Sequence, residues 1–275
     1  MHTRNQDYKY RLLVLSDLSK SSETALKNAV QLAKVIRGRV EVLCVKSPAD
    51  IADYENQFSA MRAIQEDSRE VQTKLKNVVR KTEKEEGITI PFQISYGNIK
   101  QTIKEKIDEL QPDLVLLGKR KSKLLNFSGH GITKFVLTKC AANVLISGED
   151  HVFHSYTDIS LGIFGDTLHS EGLEIINDLK LRGNNPLKFF SIRNRKKLEP
   201  SEAIDYDGKS AISYVFSEGV NALDGLASYV SKTNIELLCI PRRRKTSRST
   251  FQLPSIGVPI DRVVQKLNVA ILVLR

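Results

Sequence analysis

One short pattern occurs twice, and its spacing constrains the architecture more than any other feature. Residues 11–19 read RLLVLSDLS, an apolar run closed by Asp17. Residues 159–166 read ISLGIFGD, an apolar run closed by Asp166. Each run has the length of one strand, and each precedes a helix-like stretch and a further apolar run. A period of more than about 100 residues marks a duplicated domain, because solenoid units repeat every 20–50 residues or so.

Between the two copies the apolar pattern alternates between strand and helix. Leu12–Leu15 predicts a first strand, and Ser19 or Ser21 caps a helix over Glu23–Val35 that Gly38 ends. Val40–Val45 is a second strand, followed by a long amphipathic helix from Asn56 to Glu86. Phe92–Tyr96, Leu114–Leu117 and Val144–Ile146 are further strands, with helices over Ile99–Leu110 and Thr133–Lys139. The stretch after Gly148 to Thr157 reads as a linker. The second half then repeats the order: strands at Leu161–Phe164, Leu187–Ile192, Ala211–Phe216, Leu237–Ile240 and Ala270–Leu274, helices at Leu168–Leu181, Ala222–Ser231 and Ile260–Leu267. The long second helix has no counterpart there, since only Arg193–Lys209 separates the second and third strands. Strands separated by helices imply parallel sheets with right-handed crossovers. Ligands in such sheets bind at the carboxyl ends of strands, where strand order reverses.

Composition removes several function classes. The apolar runs are too short to span a membrane, and the polar N-terminal stretch carries no signal-peptide core, so a cytoplasmic protein is expected. Cys44, Cys140 and Cys239 contain no Cys-x-x-Cys pair and make no disulfide framework. His151 and His154 read as part of a solvated linker and not as a metal site. The chain lacks a nucleophile elbow, a Walker A loop and a His-Glu-x-x-His motif. No catalytic residue is assigned. The net charge of +10 favours anionic partners.

The Asp-terminated first strand, the glycines at Gly118 and Gly131 and the final apolar strand resemble the universal stress protein family. That family opens with an apolar strand ending in Asp, then Gly-Ser. After the fourth strand it carries Gly-x-x-Gly-x9-Gly-(Ser/Thr). The resemblance covers nearly the whole chain, and is stronger in the first half. It implies two tandem Rossmann-like, adenine nucleotide alpha hydrolase-like α/β domains, at residues 1–150 and 151–275, each with a five-stranded parallel sheet flanked by helices. It also implies an intramolecular pseudo-dimer, with Val144–Ile146 and Ala270–Leu274 near the pseudo-twofold axis.

By the same resemblance, Asp17 and Val45 would hold adenine and ribose of ATP or AMP, in the first domain only, with Ser19 a further nucleotide-binding residue; nothing in the sequence requires a metal. The loop from Gly118 would wrap the phosphates. Lys121 stands where the second motif glycine belongs, and Gly131 falls at the third, followed by Ile132 in place of Ser or Thr. A shift of one residue places His130 and Gly131 at the Gly-Ser pair; either way the hydroxyl is lost, with Ser128 and Thr133 nearby. Gly129 and Gly131 are expected to precede a helix whose amide groups and dipole favour anions. Lys119 and Lys121 offer side-chain cations in place of the missing glycine. The second half departs further, with Arg242, Arg243, Arg244 and Lys245 after its fourth strand and no early motif glycine. This second cluster matches Lys119, Arg120, Lys121 and Lys123 in topological position, and marks a secondary anion site. The reading is a non-enzymatic stress-response protein binding a nucleotide or similar phosphate ligand. The alternative is a nucleotide-independent protein docking an acidic protein or polyanion on its basic loops, and a slow ATPase is third.

Overall fold

The computed structural model describes residues 8–47, 57–119, 128–148, 152–153, 159–164, 170–180, 185–193, 205–206, 209–217, 219, 221–241 and 260–275. In the first half these form β1 (Tyr10–Ser16), α1 (Lys20–Ile36), β2 (Gly38–Lys46), α2 (Gln57–Glu86), β3 (Phe92–Tyr96), α3 (Ile99–Leu110), β4 (Leu114–Gly118), α4 (Ser128–Lys139) and β5 (Asn143–Ser147). The second half supplies β6 (Leu161–Phe164), α5 (Ser170–Lys180), β7 (Leu187–Arg193), β8 (Asp205–Tyr206), β9 (Lys209–Ser217), α6 (Ala222–Lys232), β10 (Leu237–Pro241), α7 (Ile260–Lys266) and β11 (Ala270–Leu274).

Local chemistry sets the helix limits. Ser19 caps α1 by accepting the Ser22 amide, and Arg37 ends it in a left-handed conformation with φ 58°. Asn98 and Gln111 do the same for α3. Helix α4 starts at Ser128, earlier than the expected Thr133, so Gly129 and Gly131 lie inside its opening turn and not in a loop before it. Glycine weakens a helix interior by about 1 kcal/mol. Here the helix is held from further along, where Val136 and Leu137 are buried in the core.

The strands make one sheet in the order β3-β2-β1-β4-β5-β11-β10-β6-β7-β9-β8. The five expected strands of each half lie parallel to one another, in matching order. Among the described residues two pairings are antiparallel: the short β8 on β9, and β5 on β11. In the second of these, Val144 faces Val273, Leu145 faces Leu272 and Ile146 faces Ile271. Asn143 and Ala270 hold equivalent places beside β4 and β10. With that equivalence, exchanging the two halves maps the register onto itself.

An apolar layer covers each face of the sheet, and both layers run across the β5–β11 joint. One joins α1, α2 and α5 through residues such as Leu32, Leu75 and Ile176, and includes Leu145 and Leu272. The other joins α3, α4, α6 and α7, and includes Ile146 and Ile271. Polar groups reinforce the joint from outside the sheet. Lys9 lies 2.5 Å from Asp178 and 3.1 Å from Glu174 of α5, and the Tyr10 hydroxyl donates to Asp178 at 2.8 Å.

Part of the expected linker is a fixed member of the fold. Phe153 is buried in the core, and its amide donates to Asn28 Oδ1 at 2.9 Å. The Asn28 carboxamide donates in turn to the Ser147 hydroxyl at the end of β5. His151, His154 and Asp166 lie outside the described residues.

Candidate functional site

The strand order reverses between β1 and β4, because β2 and β3 lie on one side of β1 while β4 and β5 lie on the other. Parallel sheets open a crevice at such a point, at the carboxyl ends of the strands. Ser16 pairs with Cys44 and Leu15 with Leu117. This register puts Asp17 beside Val45 on one flank and near Gly118 on the other. Three of the residues expected at the site are therefore brought together. Burial pushes the Cys44 thiol beneath them up to about 11, so it is an inert wall and not a nucleophile.

The turn from β1 into α1 is tightly bonded. Asp17 Oδ1 accepts from the Ser19 amide at 3.0 Å and from the Ser19 hydroxyl at 2.5 Å. Ser19 Oγ also lies 2.9 Å from Ser21 Oγ. Leu18 has φ 63°. That left-handed conformation costs a non-glycine residue about 1–2 kcal/mol. It falls where the universal stress protein pattern has glycine, and the packing of Leu18 against the core offsets the strain. Asp17 and Ser19 thus arrive at the crevice as a bonded pair.

Gly118 has a steric role in the fold. A Cβ there would come within 2.3 Å of the Ser21 carbonyl group and 2.7 Å of the Ser22 amide nitrogen. The start of α1 rests directly on the end of β4, and no side chain fits between them. Gly131 is different: a Cβ would meet nothing closer than Lys100 Cε and Nζ, both at 3.7 Å. Thr133 follows in the same helix and is half-buried.

Lys100 is a residue that sequence reasoning passed over. It stands in the first turn of α3, exposed, and its ammonium lies over the opening turn of α4. The described residues give it neither an ion pair nor a hydrogen bond. The first turns of α1, α3 and α4 all open at the carboxyl end of the sheet. The signal lay in topology: in a parallel sheet each helix after a strand begins at the ligand-binding end.

Lys119 does not point into the crevice. Its amide donates to Ser147 O at 2.7 Å, and its ammonium reaches across to the second half, 3.0 Å from Leu267 O and 3.3 Å from Gln265 O. These carbonyls end α7, so the lysine acts as a C-terminal cap there. Lys121, with Arg120 and Lys123, lies outside the described residues, as do Arg242, Arg243, Arg244 and Lys245. Among the described residues no group of three or more His, Cys, Asp or Glu side chains could hold a metal ion. No described helix is long and apolar enough to cross a membrane.

The fold has counterparts of full length. A universal stress protein from Archaeoglobus fulgidus DSM 4304 superposes with a TM-score of 0.72 at 17% identity, covering 96% of this chain and 97% of that one. A functionally unknown protein from Pseudomonas aeruginosa PAO1 gives 0.55 at 16% identity, with 96% and 92% covered. Likeness at such identities is a statement about architecture. No curated protein matches in sequence. The model of the universal stress protein family matches residues 10–147, which span β1 to β5 and every described element of the crevice. By that match, the chain belongs to the universal stress protein family.

Proposed function

We propose that the protein is a non-enzymatic stress-response protein that binds an adenine nucleotide, ATP or AMP, or a similar phosphate ligand, in the crevice of its first half. The observation that carries this reading is the convergence of Asp17, Val45 and Gly118 at the reversal of strand order, with the opening turn of α4 and Lys100 close by. Adenine and ribose would lie against Asp17 and Val45. The phosphates would lie toward the α4 amides, where the helix dipole adds to the Lys100 charge. No group in the crevice is assigned a catalytic role, and no metal is required. In this reading residues 1–150 are the binding unit and residues 151–275 its degenerate copy. The mirrored register of β5 and β11 supports an internal pseudo-dimer of the two.

The test is mass spectrometry of small molecules released on denaturing the freshly purified protein, followed by calorimetric titration with ATP. Near-stoichiometric nucleotide, or ATP uptake weakened by Lys100→Ala, is the expected result. No released nucleotide and no uptake at near-physiological salt sinks the reading.

One observation favours a second reading. Asp17 and Lys119, two expected ligand groups, are both bonded within the protein. A nucleotide-independent protein whose basic segments dock an acidic partner would keep such bonds permanently. Salt-sensitive retention of polyanions by a protein that takes up no ATP would support it.

A further inference from the structure

Lys119 bridges the two halves of the molecule, as Lys9, Tyr10 and Asn143 do elsewhere, but from the mouth of the crevice. Its backbone belongs to the first half, one residue beyond Gly118 at the mouth of the crevice. Its ammonium is spent on the last carbonyls of α7 in the second half. Helix α7 leads directly into β11, the strand that closes the joint against β5. We propose that Lys119 is a latch: with the crevice empty it holds the last turn of α7, and a phosphate ligand draws it away. The inference rests on the nucleotide reading above.

The physical argument compares the two acceptors. The end of a helix presents a partial negative charge of about half an electron and neutral carbonyl oxygens. A nucleotide phosphate presents full charges, so it adds the attraction between unit charges to the charge-assisted bond that the lysine makes with either acceptor. The stem of Lys119 starts one residue beyond Gly118, so the exchange would be a turn of the side chain from one acceptor to the other. When the lysine leaves, the Gln265 and Leu267 carbonyls lose a charged donor. The last turn of α7 then keeps its internal bonds, such as Leu267 N to Val263 O, its Lys266–Asp224 ion pair and its apolar contacts, but loses the Lys119 donor. Ligand occupancy in the first half would in this way set the order of a helix in the second half. By linkage, whatever holds α7 in place would weaken ligand binding by the same factor.

Hydrogen exchange at the Leu267 amide reads the latch directly in the full-length protein. Lys119→Met keeps the apolar stem and removes the donor. Without ligand it should speed exchange at Leu267 about tenfold, the effect of losing a hydrogen bond from a charged group. Lys119→Arg should keep the protection. Saturating the wild-type protein with ATP, with uptake followed by calorimetry, should reproduce the acceleration seen in Lys119→Met. Unchanged exchange in Lys119→Met would overturn the latch. ATP uptake without acceleration in the wild type would overturn the coupling and leave the nucleotide reading standing. A protein that takes up no ATP would overturn the nucleotide reading, and the switch with it.

Discussion

Leu145 and Leu272 face each other at the centre of the β5–β11 joint, and neither exposes any surface. The pair occupies the point about which the two halves exchange. Because the sheet and both apolar layers continue through it, the joint has the character of a core, not of a docking surface between separate domains.

Leu145→Ala and Leu272→Ala should each lower unfolding stability by about 2–5 kcal/mol, the range for buried leucine truncations. The double variant should depart from additivity by about 0.5–3 kcal/mol, because the residues share one site. Urea unfolding of the four proteins measures this. Simple additivity would mean that the two side chains act independently and that the joint is looser than its register implies.

The two surviving motif glycines should respond in opposite ways. Gly118→Ala forces a methyl group into the Ser21 backbone and should cost about 1–3 kcal/mol with or without ligand. Gly131→Ala has room and sits in a helical turn, so it should leave stability unchanged or raise it by up to about 1 kcal/mol. Thermal unfolding of both variants decides the matter. Equal losses would mean that α4 does not begin at Ser128.

The cluster at the start of β1 predicts how stability depends on pH. Partial burial works against the Asp178 carboxylate, yet hydrogen bonds from Lys9 and Tyr10 hold its pKa below the ordinary 3.8. Its contribution is therefore complete above that value and fades as pH falls through the lowered one. The hydrogen bond to Asp178 raises Lys9, and burial followed by the bond to Asp178 raises Tyr10. Their contributions are complete below their ordinary values of 10.5 and 10.0 and fade above them. The gap in melting temperature between wild type and Asp178→Asn should be widest from about pH 5 to pH 9 and should narrow toward pH 3. A gap that does not vary with pH would remove the ion cluster from the joint.

The cysteines should be silent in the native protein. Burial raises Cys44 to about 11 and Cys239 to about 12, and Cys140 is buried as well. Since the thiolate is the reactive form, alkylation at pH 7.5 should label none of them until denaturant is added, and then all of them. Rapid native labelling of Cys44 would show that the floor of the crevice opens.

Most strands were legible because a buried parallel strand is a continuous apolar run, as in Leu114–Leu117 and Leu237–Ile240; β3 and β9 mix polar residues into theirs, and the two-residue β8 carries no such run. The pairing of β5 with β11 was legible only through family resemblance, since two apolar runs carry no information about which edge meets which. Glycines concealed the start of α4: Gly129 and Gly131 read as loop residues, while burial of Val136 and Leu137 decided the outcome. The direction of Lys119 was illegible for a different reason. Its acceptors are main-chain carbonyls, almost 150 residues away in sequence, and a carbonyl has no letter code. Lys100 was passed over because its role depends on which helices start side by side.

Asn28 carries a consequence for any attempt to separate the halves. Its carboxamide is the anchor for both Ser147 and the Phe153 backbone, and its surroundings are fully buried. A fragment cut at residue 150 would strip the amide donor from Asn28 Oδ1 and remove Phe153 from the apolar layer. Any cut between the halves should therefore leave Phe153 attached to the first half, where its amide meets Asn28.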